Sequence, residues 1–232
     1  MLTDQDYKDG QVLLVDKPLE WSSFQLVNKM RWLIRKNLNI KKIKVGHAGT
    51  LDPLATGLMI ICTGKFTKRI NEFMGQEKEY TGTITLGGTT PSYDLETEID
   101  ETFPVTHIND EMIYAFAKAY TGVIQQRPPI FSALKKEGKR LYEFARKGEV
   151  VDIPTREITI HEFEITRIAL PEVDFRVSCS KGTYIRSLAY DFGKGLDSGA
   201  HLTALRRTKI GAYDVINATT ITAFEDSFTQ ER

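Results

Sequence analysis

The segment Gly46-His47-Ala48-Gly49-Thr50-Leu51-Asp52-Pro53-Leu54-Ala55-Thr56-Gly57 holds the residues best equipped for chemistry in this chain. Its three glycines and one proline specify a rigid, unusual loop, and the carboxylate of Asp52 lies inside it between two apolar runs. A carboxylate on a loop fixed by its scaffold can act as a nucleophile or stabilise a cationic centre. The same spacing also suits a structural role, because Asp-Pro initiates turns and aspartate accepts hydrogen bonds from nearby backbone amides. His47 on its own is compatible with packing or with function.

Several other chemistries are excluded. Gly64-Lys65 follows an apolar run, but a Walker A loop needs a glycine where Met59 stands and Ser or Thr where Phe66 stands. There is no G-x-S-x-G elbow for a serine hydrolase. Cys62 and Cys179 are the only thiols and no histidine cluster accompanies them, so neither a zinc site nor a disulfide framework is available.

The elements that must position the loop follow from apolar spacing and punctuation. A strand over 11–15 leads through Asp16-Lys17-Pro18 to a helix capped by Ser22 or Ser23, with Phe24, Val27, Met30 and Ile34 at helical spacing. Strands over 41–45 and 58–62 flank the glycine-rich loop, and 65–74 reads as a short helix ending at Gly75. A strand over 80–86 breaks at Gly87-Gly88, and Asn109 caps a helix through Tyr120. Paired prolines make 125–132 irregular, and 138–147 reads as an exposed basic helix on a projecting segment. Strands over 158–168 and 173–180 meet near Pro171, and a helix (183–192), a strand (202–213) and a terminal helix (221–228) follow. This order lacks βαβ alternation and predicts an α+β fold with a mixed, mainly antiparallel central sheet flanked by helices.

The chain has 232 residues, 41% hydrophobic and 27% charged, which suits one globular domain with a full core. The amino terminus is acidic and polar, and no apolar run approaches the roughly 18 residues of a membrane span, so a soluble, cytoplasmic protein is expected. The net charge is +0, which by itself speaks against nucleic acid, but the charges are segregated. Between Trp21 and Leu51 there is no acid, while Lys29, Arg31, Arg35, Lys36, Lys41, Lys42 and Lys44 fall there; Lys65, Lys68 and Arg69 extend the run. Lys135, Lys136, Lys139, Arg140, Arg146 and Lys147 form a second cluster, and Arg206, Arg207 and Lys209 a third. The balancing acids from Asp94 to Glu111, with Glu225 and Asp226, lie elsewhere. Such a distribution can attract phosphate locally, or can be no more than solvated faces.

The glycine-rich segment resembles the catalytic motif of the TruB family of pseudouridine synthases, which convert uridine 55 in the T-loop of tRNA. Other motifs of that family recur in order. Leu14-Val15-Asp16-Lys17-Pro18 with Ser22-Ser23 resembles the amino-terminal motif, Lys78-Glu79-Tyr80 the tyrosine motif, and Ser180-Lys181-Gly182-Thr183-Tyr184-Ile185-Arg186 the arginine motif. His201 to Arg207 resembles the segment that places a leucine beside the base, and Pro128 to Lys135 with Gly138 to Arg146 resembles the RNA-gripping insertion, about 124–150.

The resemblance implies a single catalytic domain over 1–232 with the pseudouridine synthase fold. It implies Asp52 as the catalytic carboxylate, Arg186 as its partner, and Tyr80 stacked on the uracil. Tyr184 and Leu205 would complete the base pocket, His47 would support the space near the extruded nucleotide, and Lys68 with the Lys135–Lys147 segment would grip backbone. The broken bond is glycosidic, so a carboxylate near C1′ suits an oxocarbenium-like centre. No cofactor or metal is implied, since the reaction is internal and redox-neutral; the partner would be the T-arm of tRNA, bound by a monomer without a membrane. Competing readings are a tRNA-binding or folding factor with a vestigial site, and a synthase acting on another RNA. The sequence departs from the family at Gly57-Leu58, where Pro commonly follows soon after, at Phe131, where Tyr is frequent, and at Thr90-Pro91-Ser92-Tyr93-Asp94, of which only Asp94 matches. The family's carboxy-terminal PUA RNA-binding domain is not expected in this length.

Overall fold

The computed structural model describes residues 2–229, which group into two compact units, one running to Tyr80 and resuming at Arg206, the other spanning Thr81–Leu205. The first unit opens with α1 (Asp4–Asp9), β1 (Val12–Lys17), α2 (Ser23–Asn37), β2 (Val45–His47) and β3 (Ala55–Thr63). A 3-10 turn (Gly64–Arg69) and α3 (Ile70–Met74) follow, and β4 (Lys78–Leu86) carries the chain into the second unit. There come β5 (Gly88–Thr89), β6 (Glu101–Thr102), α4 (Asp110–Ala119), β7 (Gly122–Gln126), β8 (Lys135–Lys136), β9 (Lys139–Arg140) and α5 (Leu141–Ala145). β10 (Arg156–Ala169), β11 (Glu172–Cys179) and α6 (Ile185–Gly195) complete it, and β12 (Ala200–Ile210) brings the chain back to β13 (Tyr213–Asp214) and α7 (Ile221–Asp226).

In the first unit the strand order is β1-β3-β12, with β2 also on β3 and β13 on β12. β3 is the axis: Leu58, Met59, Ile60, Ile61 and Cys62 are each fully buried. A continuous apolar run of this kind suits a strand covered on both faces, each side chain contributing roughly 1.5–3 kcal/mol. β1 pairs antiparallel with β3 from Val12↔Cys62 to Lys17↔Gly57, which sets Lys17 opposite the end of the glycine-rich loop. In the second unit the order is β12-β4-β11-β10-β7, and the β10–β11 and β7–β10 ladders are antiparallel. The fold is α+β with a mixed central sheet, as expected.

Three local expectations change. The strand expected over 41–45 starts only at Val45, because its partner β3 ends at Thr63, where the chain turns at Gly64 with φ of 52°. The stretch expected to be irregular from Gln125 begins as β7, paired with β10 through Gln126. The basic helix expected over 138–147 is a hairpin, β8–β9, followed by the single turn α5. Glu137 and Gly138 both take positive φ, 53° and 82°, the conformation of a tight hairpin turn, and this uses up the first residues of the supposed helix.

α6 buries Leu188, Ala189 and Phe192 completely, and burial on the same helix pushes the carboxyl of Asp191 up from 3.8 to about 6, with Lys194 acting weakly the other way. The folded chain therefore holds this proton longer than the unfolded chain, and stability is lost as pH rises from about 4 through 6. Asp191→Asn is expected to stabilise the protein at pH 7 by about 1–2 kcal/mol, after allowing for partial solvent access, and to change nothing at pH 3.5. Urea unfolding at the two pH values checks this; an equal effect at both would contradict it.

Candidate active site

The loop carrying Asp52 is tied down from three directions within the first unit. Ser22 is the residue that caps α2, in a capping box with Gln25, which leaves Ser23 for the loop. The buried Ser23 hydroxyl donates to the Leu51 carbonyl at 2.9 Å and accepts from the Leu51 amide at 2.8 Å. Lys17, fully buried, spends its three N–H donors on the carbonyls of Pro18 (2.9 Å), Trp21 (2.6 Å) and Pro53 (3.3 Å). Leu51 and Pro53 are thus both held, one on each side of Asp52. The Glu20 amide adds a second bond to the Pro53 carbonyl at 2.9 Å, and the Ala55 amide closes a turn on the Asp52 carbonyl at 3.1 Å.

Arg207 supplies the third tie. It is 1% exposed and with Lys17 heads the largest fully buried side chains among the described residues. Its Nε donates to Leu58 O at 2.8 Å, and its two terminal nitrogens to Gly49 O at 3.2 Å and Thr50 O at 3.4 Å. A buried guanidinium is costly to desolvate unless its donors are used, and here one side chain binds both ends of the loop. At Gly57, φ is 105° and a Cβ would lie 2.3 Å from the Arg207 carbonyl oxygen, so glycine is required where the loop enters β3.

Of the third basic cluster, Arg206, Arg207 and Lys209, the structure leaves little to face phosphate. Arg207 is interior, Arg206 is paired with Asp16 at 2.6 Å, and Lys209 with Glu79 at 3.4 Å. Nothing in local sequence separates an interior Arg207 from its exposed neighbours except strand alternation, which buries Arg207 while Arg206 stays half-buried.

The electrostatics of the unit centre on the same groups. Burial is the main cause that brings the Lys17 ammonium down to about 8; the charge of Asp52 acts upward and that of Arg207 downward. Burial also lowers the His47 imidazole, against a backbone hydrogen bond at Gly49, so the ring is neutral near pH 7. His47 ends β2, opposite Ile61 of β3. Tyr80 is buried on β4, and Lys68 is exposed on the 3-10 turn, where Lys65 and Arg69 are paired with Asp9 and Glu72.

The second unit carries Tyr184, Arg186 and Leu205. Arg186 is 3% exposed; it donates to Ser92 O at 2.9 Å and Phe131 O at 2.8 Å, and its Nε lies 3.5 Å from Asp94 Oδ2. Asp94, itself 5% exposed, is thereby given a role that its sequence match left open. The arginine motif is bolted to the start of the insertion: Gln126, fully buried, exchanges two hydrogen bonds with the Tyr184 backbone at 2.8 and 3.0 Å. Ser187 donates to Arg127 O at 2.8 Å. The Arg156 guanidinium stands 4.7 Å from the centre of the Tyr184 ring, and Leu205 is half-buried on β12. Gln126 and Ser187 were invisible as site residues in sequence, since a buried amide reveals itself only through the backbone it satisfies.

Within the insertion of about 124–150 in the second unit, Lys135, Lys139, Arg140 and Lys147 face solvent, with Arg146 within 3.7 Å of Glu96. Among the described residues there is no group of three or more His, Cys, Asp or Glu able to hold a metal ion, and no helix is long and apolar enough to cross a membrane.

The first unit thus holds a tied-down loop around Asp52, and the second unit a buried arginine network. A chain of the crystal structure of a Cbf5-Nop10-Gar1 complex matches the fold with a TM-score of 0.72 and 29% identity, over 97% of this chain and 56% of that one. Residues 35–185 match the model of the TruB family pseudouridylate synthase N-terminal domain, and residues 186–232 that of the tRNA pseudouridylate synthase B C-terminal domain. The chain belongs to the TruB family. It is 67% identical over 227 residues to the tRNA pseudouridine synthase B of Flavobacterium johnsoniae, covering 97% of this chain and 99% of that protein. It is 53% identical to the protein of the same name from Phocaeicola vulgatus, over 97% of this chain and 96% of that one.

Proposed function

We propose that the protein isomerises uridine 55 in the T-loop of tRNA to pseudouridine, with Asp52 as the catalytic carboxylate. The observation that carries this is the seating of Asp52: Ser23, Lys17 and Arg207 hold the residues around it by backbone groups, so the backbone on both sides of the carboxylate is fixed by the fold. The names of the relatives support tRNA as the substrate.

In the reaction the C1′–N1 bond breaks with its electron pair leaving on uracil, and the Asp52 carboxylate captures or stabilises the electron-poor C1′. The base turns, C5 bonds to C1′ and displaces the carboxylate from it, the C5 proton departs and N1 regains a proton, so atoms and charge balance without any cofactor. Tyr80 stacks on the uracil and its hydroxyl assists removal of the C5 proton. Arg186 pairs with Asp52 and, through Asp94, is held in a fixed orientation. Tyr184 and Leu205 complete the base pocket, His47 as a neutral ring fills the space beside the extruded nucleotide, and Lys68 with Lys135–Lys147 grips phosphates. Such contacts offset the cost of taking a base out of its stack. The whole chain acts as one catalytic domain, as a cytoplasmic monomer.

Unmodified tRNA incubated with the protein is expected to acquire a single pseudouridine, at position 55, when mapped by carbodiimide modification and primer extension. A tRNA with cytidine at that position is expected to acquire none. Pseudouridine at another site, or in another RNA class and not in tRNA, would overturn the assignment.

A further inference from the structure

The solvent face of α2 carries a second feature that the Asp52 chemistry does not use. Beyond the middle of the helix a groove of about 570 Å³ is lined by Arg31, Trp32, Arg35, Lys36 and Lys41, with no acidic residue in its lining. Trp32 is 48% exposed, and the ammonium groups of Lys36 and Lys29 lie 4.6 and 5.0 Å from the centre of its ring. Lys29 is already paired with Glu225 at 2.8 Å, so the charge that Trp32 presents to solvent is that of Lys36. The far wall is built: Asn39 takes φ of 50°, the Ile40 amide returns to Arg35 O at 3.1 Å, and Arg35 Nε donates to Ile40 O at 3.4 Å. Arg31 is likewise oriented, by Asn28 Oδ1 at 2.7 Å and Val45 O at 3.0 Å.

Arg35 and Lys36 in the last turn would by themselves do no more than complement the helix dipole. That reading does not account for a large indole left half in water, for Arg31 a turn earlier, or for Lys41 and Lys42 continuing the charge beyond the helix. The position of the groove is informative too. Ser23, at the start of α2, is bonded to Leu51 next to Asp52, and Phe24 beside it is 69% exposed. Phe24, Asn28, Trp32 and Lys36 follow at four-residue spacing, a ridge about 18 Å long at 1.5 Å per residue. Basic groups interleaved with exposed aromatic rings make a surface that tracks a nucleic-acid strand.

We propose that the face of α2 from Phe24 to Lys36, with the Arg31–Lys41 groove, is a second RNA-contacting surface, on which phosphates of the substrate RNA seat while its target nucleotide is at Asp52. This rests on the reading of the substrate as RNA. The full chain with Lys36→Glu and Lys41→Glu together is compared with wild type for binding of unmodified tRNA by fluorescence anisotropy across a salt series. Affinity is expected to fall about tenfold, and the log-log salt slope to become shallower by about 1.4, at roughly 0.7 per lost phosphate contact. Lys118→Glu, an exposed change of equal charge on α4, is expected to leave both unchanged. Unchanged affinity and slope in the double variant, or an equal loss in Lys118→Glu, would overturn the proposal. Matching thermal unfolding of variant and wild type shows that the fold is intact. If wild type itself neither binds nor modifies tRNA, the underlying functional reading fails; if wild type modifies tRNA and the variant binds like it, only the α2 surface fails.

Discussion

Asp52→Asn is expected to bind unmodified tRNA as wild type does and to form pseudouridine at least about a thousandfold more slowly. The substitution keeps shape and hydrogen-bonding capacity, and the loop around it is held by bonds to Leu51, Pro53, Gly49 and Thr50 that do not involve the Asp52 side chain. In the proposed reaction, what is removed is the negative charge that would meet an electron-poor C1′, and with it any covalent capture. Single-turnover release of tritium from uracil C5 measures the effect, with filter binding on the same preparation. Turnover within tenfold of wild type would refute the catalytic role, and loss of binding in parallel with activity would show that the residue serves to hold RNA.

Arg207→Ala is expected to destabilise the protein by about 3–5 kcal/mol, since it opens a cavity in a buried site and orphans three carbonyl oxygens. For a chain of this size that is a fall of about 10 °C or more in melting temperature. A second consequence separates this role from mere stability. Measured well below the melting transition, where the variant is fully folded, kcat is expected to fall about a hundredfold, because the loop loses a tie to both of its ends and displacements of about 1 Å at a reacting group cost that much. Arg207→Lys recovers little of this, as an ammonium reaches one direction where the guanidinium reaches three carbonyls. Wild-type kcat in folded Arg207→Ala would show that the loop needs no such tie.

The rigid loop of the candidate site was legible in sequence because its residues are of kinds and spacings that few other arrangements require. Three glycines and a proline around Asp52 announced a rigid loop, and the structure shows why glycine is needed at 57, where the Arg207 backbone fills the space of a side chain. The fold class was legible from strands and helices that do not alternate. What was not legible concerns partners brought together from afar. The basic stretch 138–147 has helical composition, yet a turn at Glu137-Gly138 claims its start. Ser22 and Ser23 were interchangeable as caps until Leu51 took one of them.

The sequence by itself determined which residues are candidates for chemistry and in what order they come: a single carboxylate in a glycine-rich loop, a tyrosine and an arginine in motifs that resemble a known family's, and positive charge segregated under a net charge of +0. Only the tertiary structure decided which cations are available to a ligand and which serve the interior. Lys17 and Arg207 read like any other basic residues, but they are fully buried and bind loop carbonyls, while Lys36 and Lys41 remain in solvent. The reason is physical. A charged side chain goes inside only where enough backbone acceptors converge on it to replace water, and those acceptors come from residues that the chain separates by 36 and 158 positions.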